Sequence, residues 1–383
     1  MKKRTKIILI IVSILTITYF SLPKYAQRAL IYQKVGIDDY TLFYNRTVKT
    51  GDPQFWEIDT VNNLKLDKET LNKFEDFKTI AYLIIKDNKI IFEKYWGNYG
   101  QESLTNSFSA AKSIVSLLIG AAIDDGYIKS IEQPISDFIP EYNNKTNKKL
   151  KIKDVLTMSS GLNWDESYGS LFSTTTDAYY GTDIKKLIYS LKVVEAPGKR
   201  FKYLSGNPQL LAMVIENATG KTISDYTSEK FWQPMGAVHD ALWCLDDKNG
   251  TEKAYCCFNS NARDFARWGQ LILNNGIWNN DTLISPNYIK EATTPASYLK
   301  DKENKSLNFY GYQWWIQHID NISIPYMRGI LGQYVFVIPN ENAVVVRLGH
   351  KRSSKKTNHH PDDTYLYINT AKKLLKEYNA SVN

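Results

Sequence analysis

Cysteine is scarce in this chain, and so are the ligand patterns that often accompany it. Only Cys244, Cys256 and Cys257 occur among 383 residues. An odd count with an adjacent pair does not read as a disulfide framework. Cysteines of this kind are expected to be inert small hydrophobes. Neither CxxC nor HExxH occurs, and the five histidines are dispersed, with His359 and His360 in a polar tail. The spacing of a zinc site is therefore missing, and neither a metal nor a cofactor is expected. GxSxG is absent as well, which excludes the nucleophile elbow of the α/β-hydrolases. Gly220-Lys221-Thr222 looks like the tail of a phosphate loop, but Ile215 stands where its leading glycine belongs, so a turn after a helix is expected. Internal repeats and low-complexity stretches are lacking too.

The net charge of +8 has no concentrated source. The clusters Lys148–Lys153 and Lys351–Lys356 are short and carry no interleaved stacking aromatics, so no nucleic-acid partner is expected. Ordinary proportions of hydrophobic (43%) and charged (23%) residues allow a full globular core. Aromatics are plentiful, with 26 Tyr and 9 Trp, residue types that line wet clefts because a polar tip rides on an apolar body.

The N-terminus carries Lys2, Lys3, Arg4 and Lys6 ahead of an uncharged, apolar-rich run from Ile7 to Leu22. A positive flank and a hydrophobic segment make an export signal, and no small-x-small cleavage site follows. Residues 1–24 are read as a membrane anchor, with a cleaved signal as the alternative. The flank stays in the cytoplasm, which places the rest of the chain outside it, in the periplasm or at the cell surface.

Residues 25–65 look like an irregular lead-in, and 66–383 like one domain. Within it a helix is predicted over Asp67–Phe77, and a hairpin over Thr79–Ile85 and Ile90–Trp96. An apolar helix is predicted over Ser109–Asp125, closed by Gly126. A mostly helical insert of about 127–300 includes a long aromatic loop at Gly161–Tyr180 and a helix at Asn261–Asn275. Strands return at Tyr312–Gln317, Gln333–Ile338 and Ala343–Leu348, before a closing helix at Asp363–Tyr378. This order predicts an α+β fold: an antiparallel sheet of N- and C-terminal strands, flanked by helices, with the helical insert beside it. The site would lie between the two.

Ser109-Ala110-Ala111-Lys112 is an SxxK tetrapeptide, but Ser21, Ser297 and Ser353 head SxxK tetrapeptides too. Only Ser109 opens an apolar helix, where Lys112 falls on the same face within reach of its hydroxyl. Serine needs a neighbouring base to become a nucleophile, and a buried lysine with a lowered pKa can be one. Three more stretches accompany it: Ser159–Trp164 (SSGLNW), Pro197–Lys221 with Tyr203 ahead of an apolar helix, and Arg328–Asn340 (RGILGQYVFVIPN).

Together these resemble the serine β-lactamase and penicillin-binding protein superfamily. The likeness spans roughly residues 75–350 and points to its class C-like branch, with the 6-aminohexanoate-oligomer hydrolases and related esterases. It implies a β-lactamase-like fold and a serine hydrolase acting on amide or ester bonds through an acyl-enzyme. Ser109 matches the acylated serine, Lys112 the motif lysine and Tyr203 the proton-shuttling tyrosine. The backbone N–H groups of Ser109 and Ile330 match the oxyanion hole. Gly329 matches the glycine of the cleft strand; with Tyr168, Asn207 and Gln333 it is a candidate for substrate contact. The chain departs from the family in two places. Tyr203-Leu204-Ser205-Gly206-Asn207 replaces Tyr-x-Asn, and Met327-Arg328-Gly329 replaces a motif opened by Lys or His. Arg328 stands as a possible substitute for the lost cation. These changes argue against penicillins as substrate and favour a small or peptide-like amide or ester. A non-catalytic or D-peptide-processing cell-wall protein is the alternative.

Overall fold

The computed structural model describes residues 3–59 and 64–382. Met1 and Lys2 of the N-terminal segment and residues 60–63 of the lead-in lie outside the described residues. The apolar N-terminal run forms helix α1 (Lys3–Ser21), none of which is buried. Pro23 then precedes α2 (Lys24–Tyr32), which packs Ala26 and Ala29 inward.

The lead-in is more structured than its composition suggested: it supplies α2 and two strands, β1 (Asn45–Val48) and β2 (Glu57–Ile58). Asp67 then caps α3 (Lys68–Asp76) by accepting from Thr70 N–H at 2.8 Å, which satisfies one of the free donors of a first turn. The hairpin is β3 (Thr79–Lys86) and β4 (Lys89–Tyr95). Asp87 and Asn88 both take positive φ, at 49° and 63°, the conformation that a two-residue hairpin turn demands.

A short strand, β5 (Thr105–Asn106), leads into a tight 3₁₀ turn over Phe108–Ala110 and then α4 (Ala111–Asp124). Twelve of the α4 residues from Ala111 to Ala122 are buried. A helix apolar all round belongs at the centre of a core, and α4 sits there. The insert contributes α5 (Ile152–Leu156), α6 (Thr174–Tyr180), α7 (Ile184–Tyr189), α8 (Gly206–Thr219) and α9 (Ile223–Thr227). It also holds the strands β6 (Ala241–Cys244) and β7 (Phe258–Ser260). Helix α6 occupies the end of what the sequence suggested was a single aromatic loop; Ser173 caps it by accepting from Thr176 N–H.

Helix α10 (Ala262–Leu273), capped by Asn261, is followed by the β8–β9 pair (Ile277–Trp278 with Asp281–Thr282) and α11 (Pro286–Ala292). The last strands are β10 (Trp315–Ile319), β11 (Ile322–Gly329), β12 (Gln333–Ile338) and β13 (Ala343–Gly349); α12 (Asp362–Val382) closes the chain. Strand order in the main sheet is β10-β11-β12-β13-β3-β4-β2. Pairing is antiparallel except for β2 on β4. The N- and C-terminal strands thus share one sheet, as expected. A second sheet, β1-β6-β7-β5, ties the lead-in to the insert.

Two features fix the site at this junction. Gly329, ending β11, abuts the 3₁₀ turn so closely that a Cβ there would lie 2.2 Å from Ser107 O; only glycine lets the two backbones meet. The buried guanidinium of Arg347 ties the rim together. It donates to Phe77 O (2.6 Å), Gly332 O (2.8 Å), and Leu331 O and Lys351 O (both 3.1 Å).

Candidate active site

Phe108, just before Ser109, takes φ +45°, a left-handed conformation unusual for a bulky residue. Asn106 holds it there: its side-chain oxygen accepts from Phe108 N–H at 2.7 Å and from Cys257 N–H at 3.1 Å. Ser109 therefore rides on the 3₁₀ turn, two residues before the α-helix proper. Its hydroxyl is half-buried at the foot of a cavity of about 930 Å³.

Lys112 is buried. Its ammonium donates to Ser109 Oγ at 3.1 Å, to Ser205 Oγ at 3.2 Å and to the Tyr255 carbonyl at 2.6 Å. Burial lowers its pKa to about 7, with the Glu166 carboxylate pulling the other way. About half of such an amine is neutral at pH 7, so it can take a proton from a hydroxyl 3 Å away.

Tyr203 lies two residues ahead of Ser205, and its phenol is near enough to the Ser109 side chain for that side chain to lower its pKa. Its ring centroid is 5.4 Å from Lys112 Nζ. Burial pushes the phenol well above the usual tyrosine range, offset in part by its contact with Ser109 and by the charges of Arg328 and Arg352. Between the two, the lysine is the group that is neutral and basic near pH 7, and the phenol remains a proton donor. Lys112 is within hydrogen-bonding distance of Ser109, and the Tyr203 ring faces the same ammonium.

The weaker candidates divide. Tyr168 and Ile330 line the cavity with Ser109, and Tyr168 OH donates to Glu166 Oε1 at 2.6 Å. Gly329 lies against the serine turn. Asn207 and Gln333 are corrections. Asn207 is buried, accepting from Ser160 Oγ at 2.6 Å and donating to Met158 Sδ at 3.2 Å. The buried Gln333 amide donates to Gly349 O at 2.6 Å and accepts from Gly349 N–H at 3.2 Å. Both amides are consumed within the protein, and neither lines the cavity. Arg328 is also withdrawn: its guanidinium stacks on Trp315, 3.0 Å from the ring centroid, and donates to His359 O. It does not stand in for the missing motif cation.

Sequence reasoning missed Ser205, Glu166 and the role of the cysteine pair. Ser205 occupies the third position of the tyrosine motif. It accepts from Lys112, and its hydroxyl and N–H donate to the two oxygens of Glu166 at 2.7 and 2.6 Å. One carboxylate thus holds both Ser205 and Tyr168. Cys256 and Cys257, expected as inert neighbours, are bonded to each other as a disulfide. Cys256 lines the cavity, directly after the residue whose carbonyl receives Lys112.

Comparison with known proteins places these groups in context. A family model described as Beta-lactamase matches residues 68–367. The 6-aminohexanoate-dimer hydrolase of Paenarthrobacter ureafaciens is 25% identical over 295 residues, 72% of this chain and 74% of that protein. A solved Bacillus anthracis protein provisionally named as a 6-aminohexanoate-dimer hydrolase superposes with a TM-score of 0.76 at 21% identity, covering 89% of this chain and 94% of that one. A penicillin-binding protein from Bacillus halodurans gives a TM-score of 0.60 at 18% identity, covering 80% and 99%. At such identities the structural likeness speaks to the fold alone, which is β-lactamase-like.

Proposed function

This chain belongs to the beta-lactamase family, and we propose that it is a serine hydrolase of amide or ester bonds that works through an acyl-enzyme on Ser109. The observation that carries this reading is a buried lysine with a pKa of about 7 set 3.1 Å from Ser109 Oγ. Ser109 Oγ bonds to the substrate carbonyl carbon as its proton passes to the neutral Lys112 amine. The N–H groups of Ser109 and Ile330 receive the developing oxyanion, each worth about 3 kcal/mol. The bond to the leaving nitrogen or oxygen then breaks, and the Tyr203 phenol protonates that atom. The Lys112 ammonium returns the proton to the phenolate. Water, deprotonated by Lys112, finally attacks the ester and releases the acid, and Ser109 leaves with a proton restored.

Substrate preference is closer to 6-aminohexanoate oligomers and simple esters than to penicillins. Support comes from the withdrawal of Arg328 onto Trp315, which leaves the third motif without a cation facing the cleft, and from the likeness to the Paenarthrobacter enzyme. Helix α1 is read as an anchor holding the domain outside the cytoplasm; its 19 residues are long and apolar enough to cross a membrane.

The test is a fluorophosphonate probe followed by peptide mass spectrometry. A single adduct on Ser109, lost in Ser109→Ala together with p-nitrophenyl ester hydrolysis, is the expected result. A Ser109→Ala variant that turns over at the wild-type rate refutes the assignment.

A further inference from the structure

The segment joining α1 to the domain is short, and it leads straight to the cleft. Only Leu22 and Pro23 separate α1 from α2. Helix α2 is clamped to the insert: Arg28 Nη1 donates to Tyr180 O at 3.0 Å, and the Tyr32 and Tyr180 rings stack at 6.1 Å. Directly after α2, Gln33, Lys34, Val35 and Gly36 line the same cavity as Ser109. At 1.5 Å per helical residue and at most about 3.5 Å per extended one, the cleft rim lies no more than about 25 Å from the end of α1. The two-residue link limits how far the domain can stand from the end of α1.

The surface near this junction is not typical of a face exposed to water. Leu30, Ile31 and Phe172 are 42%, 62% and 64% exposed, large apolar side chains of the kind that mark an interaction surface when they gather. Cations accompany them. Lys34, Lys78, Lys351 and Arg352 all line the cavity. Arg352 has no hydrogen-bond or ion-pair partner among the described residues, yet its charge is felt at Tyr203. An apolar fringe beside a cluster of cations matches the interface of an anionic bilayer, where basic groups meet headgroups and apolar side chains enter the acyl boundary.

We propose that the cleft works at the bilayer surface, and that its substrate is a membrane-borne amphiphile with an ester or amide bond close to an anionic headgroup. This rests on the serine-hydrolase reading and names the substrate class for that site. The α1–α2 junction holds the cleft within reach of the outer headgroups, and Lys34 and Arg352 receive the headgroup's negative charge while the scissile carbonyl reaches Ser109.

The full chain, reconstituted in phosphatidylglycerol vesicles, is given two esters with one leaving group: 4-methylumbelliferyl palmitate in the bilayer and 4-methylumbelliferyl acetate in solution. A second protein carries about 20 Gly/Ser residues inserted between Leu22 and Pro23, a flexible tether that dilutes the domain away from the surface. The insertion should cut palmitate turnover at least about fivefold and leave acetate turnover unchanged, and replacing phosphatidylglycerol by phosphatidylcholine should cut palmitate turnover in the wild type. Equal palmitate turnover by the two proteins overturns the proposal, as does a wild type that cleaves acetate and not palmitate. Ser109→Ala, run in parallel, separates the two readings. If it retains hydrolysis the nucleophile assignment fails, whereas the insertion comparison still reports where the cleft works.

Discussion

The ammonium of Lys112 sits closer to the carbonyl of Tyr255, at 2.6 Å, than to the hydroxyl of Ser109, at 3.1 Å. The carbonyl fixes the amine in place, while burial makes its proton easy to lose. A lysine so placed is aimed by one group and available to another, and the behaviour expected of the proposed hydrolase follows from that division.

The first expectation concerns pH. The base must be neutral, and the Lys112 pKa is about 7. Below that value the ammonium is populated and activity falls; above it activity reaches a plateau until another group titrates. The kcat/KM profile for a soluble ester should therefore show an acid limb with its midpoint near pH 7. A limb centred near pH 10, as for an ordinary lysine, would assign the base elsewhere.

Glu166 raises the Lys112 pKa through its charge and holds both Ser205 and Tyr168. Glu166→Gln removes the charge and keeps the shape. The acid limb should move to lower pH, because the ammonium loses a stabilising neighbour, and kcat should fall as Ser205 and Tyr168 lose alignment. A change in kcat with the limb unmoved would mean that the carboxylate acts through structure alone.

Tyr203→Phe deletes the proposed donor to the leaving group. Loss of a positioned general acid costs about 10²–10⁴-fold in rate. The loss should be largest for amides and poor leaving groups and smallest for p-nitrophenyl esters, whose leaving group needs no proton. Equal losses for both substrate types would deny the tyrosine this role.

Gly329→Ala would drive a methyl to within 2.2 Å of Ser107 O. The backbones must separate, at about 1–3 kcal/mol, and the serine turn should shift with them. Denaturant unfolding should show the stability loss, and fluorophosphonate labelling of Ser109 should slow. Wild-type labelling in this variant would show that the contact does not set the geometry of the turn.

Much of the fold was legible because its signals are local. The β3–β4 hairpin announces itself through its turn and alternating apolar runs, and α4 through an apolar face that includes every side. Ser109, Lys112 and Tyr203 are proposed on the strength of short motifs in a fixed order. What escaped depends on contacts between distant segments. Glu166 meets Ser205 across 39 residues and the Tyr255 carbonyl meets Lys112 across 143; no pattern in either neighbourhood announces the pairing. Asn207 and Gln333 were named for what their amides can do, and the protein already uses those amides internally. Arg328 shows the same limit, since nothing local reveals that Trp315 offers it a face. The lead-in was underestimated because β1 and β2 are short edge segments whose partners, β6 and β4, lie elsewhere in the chain.

The bond between Cys256 and Cys257 joins adjacent residues, so it encloses almost no chain and cannot act as a long-range staple, whose benefit grows with the loop it closes. Its influence is confined to the peptide unit it spans. Just before that unit is the Tyr255 carbonyl that accepts from Lys112, and within it is the Cys257 N–H that donates to Asn106, whose side-chain oxygen also accepts from Phe108 N–H ahead of Ser109. Ser109 and Lys112 are thereby both linked, through Asn106 and the Tyr255 carbonyl, to one short stretch of chain that the disulfide closes.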